Sequence, residues 1–306
     1  MAASVESPFL TNFRRKMRGG TQAILATASD GNDYVVKFMN NPQGKNILFN
    51  EAAGSILLES CGLRVPGWIP LRVTKSFAKN NPETWIDTGT RLREPAEGLC
   101  YGSRYLGEKS RLFEILSHSS FSHVTNRQDF WLAWMIDICA MHTDNRQALF
   151  SMSDTGNLSA AFIDHGNMFG KSSVTLQAAL IASRYLDSRI YPTVPYSYLL
   201  SIQSVLRGLD ADHLWHKVQN LPNEWKTSSA LTAFENCLQR LSDVKFLQST
   251  IDLLSGFNAR VTEDDFRQPA TGKQKPHRVL RTGVSCDRGE RECSEDACDY
   301  RVRAAG

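Results

Sequence analysis

A chain of 306 residues is long enough for one two-lobed domain or two ordinary ones. Its 42% hydrophobic and 22% charged residues are the balance of a soluble globular protein, and a formal net charge of +3 is too small to indicate nucleic acid. No window approaches ~20 uninterrupted apolar residues, so no membrane span is expected, and MAASVESPFLTNFRRKMRGG lacks the continuous apolar stretch of a secretory signal.

The first ~100 residues read as strands with one helix. TQAILATASDGNDYVVKFM is two alternating apolar runs around Ser29-Asp30-Gly31-Asn32, a hairpin signal. In the second run Tyr34, Val36 and Phe38 point one way and Val35 and Lys37 the other. The basic FRRKMR before it, Phe13 to Arg18, reads as a solvated lead-in. ILFNEAAGSILLESCGLRVPGW is helical, with apolar residues at three- and four-residue steps and a stop at Gly62 and Pro66. RVPGWIPLRVT returns to strand, KSFAKNNPETWIDTGTRLREPAEG reads as a loop insertion, and LCYGSRYLG closes the first part.

From about Leu112 the pattern turns helical. RQDFWLAWMIDICAMH places Phe130, Trp131, Trp134, Met135, Ile138 and Cys139 on one stripe, the signature of a core-facing helix. Two strand-like runs, QALFSMS and SAAFIDHG, flank a turn at Asp154-Thr155-Gly156-Asn157. Three or four helices follow Gly170, among them YSYLLSIQSVLRGL, DADHLWHKVQNL and ALTAFENCLQRLSDVKFLQSTIDLL. Beyond about Asn258 the periodicity stops, and the charged, Gly-rich remainder reads as disordered. The expected organisation is therefore 1–105 strand-rich, 106–258 mainly helical and 259–306 a tail. The cysteines number seven. Cys61, Cys100, Cys139 and Cys237 lie in apolar contexts and read as reduced, buried thiols of a cytoplasmic protein. The tail's Cys286, Cys293 and Cys298, with His277 as the nearest fourth ligand, lack Cys-x-x-Cys spacing, so a flexible reduced tail is preferred to a metal knuckle.

Several residues invite chemistry. A turn at Gly19-Gly20-Thr21-Gln22 lets backbone N–H groups approach phosphate oxygens, although on its own a plain turn into the first strand is the simpler reading and no Walker A lysine follows. Lys37, inside an apolar strand, must reach an anion or solvent. Glu51 falls on the next helix near Ile47 and Leu58, where a carboxylate wants a cation; Glu59 is the rival. His142-Thr143-Asp144 and Asp164-His165-Gly166 each set an aspartate beside a histidine at the edge of an apolar run, and a zinc cluster of these four is the alternative to a turn role.

Taken in order, MRGGTQA, YVVKF, FNEAAGSILLESCGLRVP, LCYGSRYLG, DICAMHTDNRQALF and FIDHGNMFGK resemble a protein-kinase-type fold, and more closely the HipA-like kinase family of bacteria, over residues 15 to 256. The resemblance implies an α+β bilobal fold with a strand-rich N-lobe and a mainly helical C-lobe. It implies ATP with Mg²⁺ between the lobes and transfer of a phosphoryl group to a hydroxyl, most simply a protein Ser or Thr. Lys37 would neutralise the phosphates, Glu51 steady Lys37, Asp144 accept the acceptor's proton, and Asp164 hold the metal. Gly19, Gly20 and Gln22 would cradle phosphate, and backbone groups around Cys100 and Tyr101 would meet the adenine. The position at which commoner kinases carry a metal-binding asparagine is Leu149, so Asn145 and Gln147 offer the amide instead, with Gln147 favoured for the metal. Two other outcomes stay open: an enzyme acting on a small molecule or transferring a nucleotidyl group, and a silent ATP-binding module.

Overall fold

The hairpin turn forms where the alternation ends, with Gly31 at φ +78°, a conformation that favours glycine. The computed structural model describes residues 7–113, 116–170 and 173–267. In chain order the first part carries β1 (Leu10–Lys16), β2 (Ile24–Ala28), β3 (Asp33–Lys37), α1 (Ile47–Ser60), β4 (Trp68–Val73), α2 (Lys75–Asn80), β5 (Ile86–Asp87), β6 (Leu92–Arg93), β7 (Gly98–Arg104) and β8 (Ser110–Leu112). Five of the strands form an antiparallel sheet in the order β1-β2-β3-β7-β4. Tyr34, Val36 and Phe38 point together into a small core with Leu10, Ile24, Leu71, Val73 and Phe77, as their spacing predicts.

Two segments depart from expectation. The basic lead-in is β1, an edge strand whose Arg14, Arg15 and Lys16 are exposed. Register shifts between Leu10 and Asn12 and between Phe13 and Arg15 erase the two-residue period that would have revealed it. The insertion after β4 is not all loop: Thr74 Oγ1 accepts from the Phe77 N–H at 3.1 Å and starts α2, and β5 pairs with β6 as a short hairpin.

The second part carries α3 (Asp129–Cys139), β9 (Gln147–Met152), β10 (Leu158–Ile163), α4 (Leu176–Ala182), α5 (Tyr196–Arg207), α6 (Ala211–Gln219), α7 (Ser228–Ser242) and α8 (Val244–Arg267). β9 and β10 pair antiparallel, and β8 adds to β9. The helix α3 is buried almost all round rather than on one stripe, and its indoles donate to Pro192 O (Trp131, 3.0 Å) and Leu180 O (Trp134, 3.1 Å). The last expected helix is two, because the Asp243 carboxylate accepts from the N–H groups of Lys245 and Phe246 and restarts the chain. The final helix runs to Arg267, past the expected boundary at 258. The rest of the expected tail, with its three cysteines and His277, lies outside the described residues. No helix among the described residues is long and apolar enough to cross a membrane.

The pivot of the packing is α1. It is apolar on every side, so it must be buried on every side, and residues 47–58 all are. Its apolar residues join the large core of the helical part, not the small core of the sheet. Phe49 meets Phe169 and Phe234 edge-on at 6.4 and 6.3 Å, contacts worth about 0.5–1.5 kcal/mol each beyond area burial. Asn46 accepts from Thr227 Oγ1 at 2.8 Å, just before α7. Trp225, fully buried, donates to Leu99 O of β7 at 3.0 Å. The helix is thereby fastened to sheet and helices at once.

Candidate active site

The last residue of β3, the fifth residue of α1 and the first residue after β10 converge on one point. Lys37 Nζ donates to Glu51 Oε1 and, at 2.7 Å, to Asp164 Oδ1. Lys37 and Glu51 are buried, and Asp164 is half-buried. An unpaired buried charge costs several kcal/mol, so these groups require one another. Burial pulls the Lys37 ammonium down, but the Glu51 and Asp164 carboxylates outweigh it and hold it above its ordinary range. Burial lifts the Glu51 carboxyl above its usual range against the pull of Lys37, while Asp164, though burial opposes it, is kept below its usual range by Lys37. Glu59, the rival partner, is exposed beside Trp68 and Lys217, away from Lys37, with its carboxyl raised above the usual range by partial burial.

The turn after β10 is held from several sides. Asp164 sits at φ +60°, which costs a non-glycine residue of order 1–3 kcal/mol and persists only when the surroundings enforce it. Arg146 Nη1 donates to Ile163 O at 3.0 Å, the His165 N–H donates to Glu51 Oε2 at 3.2 Å, and Asn50 Nδ2 donates to Gly166 O and Met168 O at 2.7 and 2.8 Å. A Cβ on Gly166 would lie 2.9 Å from Glu51 Oε1, so the third residue of Asp-His-Gly has no room for a side chain. Across the contact, a Cβ on Gly54 of α1 would lie 2.5 Å from His165 Cβ and 2.8 Å from Met168 Sδ.

Behind the loop after α3 lies a buried polar knot. Arg146 grips Asp137 of α3 through Nε (2.7 Å to Oδ2) and Nη2, and its Nη1 donates to His165 Nδ1 at 2.9 Å. His142 Nδ1 lies 3.2 Å from Asp137 Oδ1, and the His142 N–H donates to Asp137 O. His142 is thus structural, as its place behind the loop suggests. Burial and the adjacent Arg146 guanidinium hold His165 well below the usual histidine range, so its ring is neutral and Nδ1 accepts. Against the penalty of burial, Arg146 and His142 hold the Asp137 carboxyl below its usual range. The zinc alternative fails here: no group of three or more His, Cys, Asp or Glu side chains suited to a metal ion exists among the described residues.

Asp144 faces the open side of this knot, half-buried, its Oδ1 accepting from the Asn145 N–H at 2.8 Å and its Oδ2 from Asn167 Nδ2 at 3.2 Å. Gln147 opens β9 opposite Ile163, which puts it at the end of the ladder beside Asp164. Asn145 does not turn that way. Its amide faces α4 and, with nitrogen on that side, donates to Ala182 O at 3.0 Å and Arg184 O at 3.3 Å.

Three of the expected nucleotide contacts have their side chains engaged within the protein. Gln22 Nε2 donates to Asp87 O at 2.6 Å and its Oε1 accepts from the Asp87 N–H at 2.8 Å, so its amide is committed to β5 and braces the glycine turn instead of facing a ligand. Cys100 and Tyr101 lie inside β7, in the middle of the sheet: Cys100 pairs with Leu71, and Tyr101 with Pro70 and Lys37. Cys100 Sγ donates to Leu71 O, and the Tyr101 ring stacks on Trp68 with its hydroxyl at Ser55 Oγ. Their side chains pack within the protein, and the chain leaves the sheet only after Arg104. The Gly19-Gly20 turn stands at the start of β2 with Gly19 at φ +119° and Gln43 packed under Gly20. The residues sequence reasoning missed are Asn50, Asp137, Arg146 and Asn167; Asn50 and Asp137, polar residues in otherwise apolar stretches of α1 and α3, carried a local signal.

Two outcomes follow. Ala is the better helix former by about 1 kcal/mol, yet Gly54→Ala is expected to lower the urea midpoint, an overpacking cost of about 1–3 kcal/mol, because the new methyl meets His165. Asp137, with a depressed folded pKa, contributes stability above its unfolded pKa of about 3.9 and loses it as pH falls through the lower folded value. Thermal melts from pH 6 down to pH 2 are therefore expected to steepen below about pH 4 in the wild type, and to lose that component in Arg146→Met with Asp137→Asn.

No protein-family model matches the sequence, and no curated protein does. The fold is similar to that of the Golgi casein kinase, in a crystal structure with Mn and ADP bound, at 13% identity and TM-score 0.52 over 80% of this chain and 73% of that one. It is similar also to the Helicobacter pylori proinflammatory kinase CtkA, at 13% identity and TM-score 0.51 over 80% of this chain and 96% of that one. With its sheet-rich first part and helical second part, the chain has the protein-kinase-like fold.

Proposed function

We propose that the chain is a phosphotransferase of the HipA-like type, which binds ATP with Mg²⁺ and passes the γ-phosphoryl group to a hydroxyl, that of a protein Ser or Thr. The observation that carries this reading is Lys37 held between Glu51 and Asp164, with Asp144 on the loop beside them. One buried ammonium between two carboxylates leaves a negative excess that suits a divalent cation, while the ammonium itself suits phosphate oxygens.

The donor set fits Mg²⁺. Asp164 supplies a carboxylate with 27% of its side chain exposed, and Gln147 supplies an amide oxygen at the neighbouring strand end. Mg²⁺ keeps waters and takes its remaining ligands from phosphates, so a site with one or two protein oxygens is sufficient. Bound there, the cation would supply charge neutralisation across the phosphates. The Mn and ADP in the Golgi casein kinase structure support the same ligand class.

The protein's own contributions are positional. Glu51 and the large core fix Lys37 at the phosphates, and the backbone of the Gly19-Gly20 turn offers N–H groups to them. Asp144 orients the acceptor hydroxyl: a bond forms from its oxygen to the γ-phosphorus, the bond from that phosphorus to the β–γ bridging oxygen breaks, and the hydroxyl proton passes to the Asp144 carboxylate. The free, buried thiols of Cys100, Cys139 and Cys237 support a cytoplasmic site of action.

The test is incubation of the purified chain, alone and with casein, with γ-labelled and with α-labelled ATP and Mg²⁺. Label from γ-ATP alone is expected in protein, falling about 10²–10⁴-fold in Asp144→Ala. Label from α-ATP would point to nucleotidyl transfer, and wild-type signal surviving in Asp144→Ala would remove its assigned role.

A further inference from the structure

The asparagine that follows Asp144 directly in sequence faces the other way. Asn145 is exposed, with its amide on the carbonyls that end α4. The amide that does meet Asp144 belongs to Asn167, 23 residues further on, on the turn that begins with Asp164. We infer that Asn167 is the positioning residue of the transfer, holding the Asp144 carboxylate in register with the turn that carries Asp164. The inference rests on the phosphotransferase reading above.

Three observations carry it. The Asp144 carboxylate receives one donor on each oxygen, the Asn145 N–H on Oδ1 and Asn167 Nδ2 on Oδ2, so rotation about its last torsion is blocked while each oxygen keeps a lone pair for the acceptor hydroxyl. Without Asn167 only the local bond on Oδ1 remains, and a carboxylate held at one oxygen swings. Asn167 is itself well placed. Its carbonyl accepts from the Thr143 N–H at 3.2 Å, the residue before Asp144, and the residues on either side of it are pinned by Asn50 through Gly166 O and Met168 O. The tie between the two loops is therefore double, backbone to backbone and side chain to side chain. Finally, Asn167 is half-buried and lies outside the apolar packing of Met168 and Phe169, so its side chain contributes little to the core. A displacement of about 1 Å in a reacting group costs on the order of 10²-fold in rate, which is the leverage such a tie has.

Steady-state kinetics of the full chain with casein and varied MgATP tests this. Asn167→Ala is expected to lower kcat by about 10- to 100-fold while KM for MgATP stays within about twofold, the split of a residue acting in the transition state and not in nucleotide binding. Asn167→Asp, nearly isosteric, loses the donor and sets a like charge against Asp144, so its kcat is expected to fall at least as far. It carries the test should the alanine variant melt early. Wild-type kcat in either folded variant, or a raised KM at unchanged kcat, overturns the inference alone. A wild-type chain that transfers no phosphoryl group to itself or to casein removes the function reading, and this inference with it.

Discussion

One ammonium shared by two carboxylates organises the molecule. Glu51 sits on a helix that is otherwise apolar and buried on every side, where an ionised carboxylate without a partner would not be tolerated. Lys37 is the partner, and it brings the end of β3 against α1. Asp164 then completes the pair from β10, held in a left-handed conformation by hydrogen bonds from Arg146 on one side and Asn50 on the other. Three distant segments meet because a buried charge cannot be left alone, and the strained turn is the local consequence.

The helix α1 gives this arrangement its rigidity. In a fold where the glutamate helix packed only on the sheet, the pair could open by a swing of that helix. Here its apolar residues belong to the core of α3 to α8, its start is tied to Thr227, and Phe49 is set against Phe169 and Phe234. Buried cores are bistable or fixed, not continuously deformable, and this one is fixed by contacts on all faces. The Lys37–Glu51–Asp164 cluster is therefore held on a fixed frame, and the polar knot of Asp137, His142, Arg146 and His165 extends that order to the loop carrying Asp144.

The parts legible from the sequence were those encoded by local period and chain order. The β2–β3 hairpin announced itself through Gly31 and strict alternation, and α1 through its apolar steps and its stop at Gly62. Lys37, Glu51, Asp144 and Asp164 stand out as charged residues in or beside apolar runs, and their roles followed from the resemblance of the ordered motifs to a protein-kinase-type fold. What stayed hidden depends on long-range contact. The strand β1 lost its period to two bulges and to exposed arginines. Arg146 sits in a polar run, Asn-Arg-Gln, whose burial is decided by Asp137 and His165 arriving from other elements. That the Gln22 amide is taken at both ends by Asp87, 65 residues away, is likewise invisible in the local sequence. LCYGSRYLG reads as the close of the first part, and only its pairing with β3 and β4 places Cys100 and Tyr101 inside the sheet. The choice between Asn145 and Asn167 turns on side-chain direction, which spacing alone does not carry.

The central claim is that the Lys37–Glu51–Asp164 cluster is a site for a nucleotide's phosphates and their cation. Calorimetric titration of ATP into the wild type and into Asp164→Asn, each with and without Mg²⁺, tests it most directly. Mg²⁺ is expected to tighten ATP binding to the wild type and to have little effect on the variant. Equal affinity with and without the cation in the wild type, or unchanged cation-dependent binding in Asp164→Asn, would contradict it.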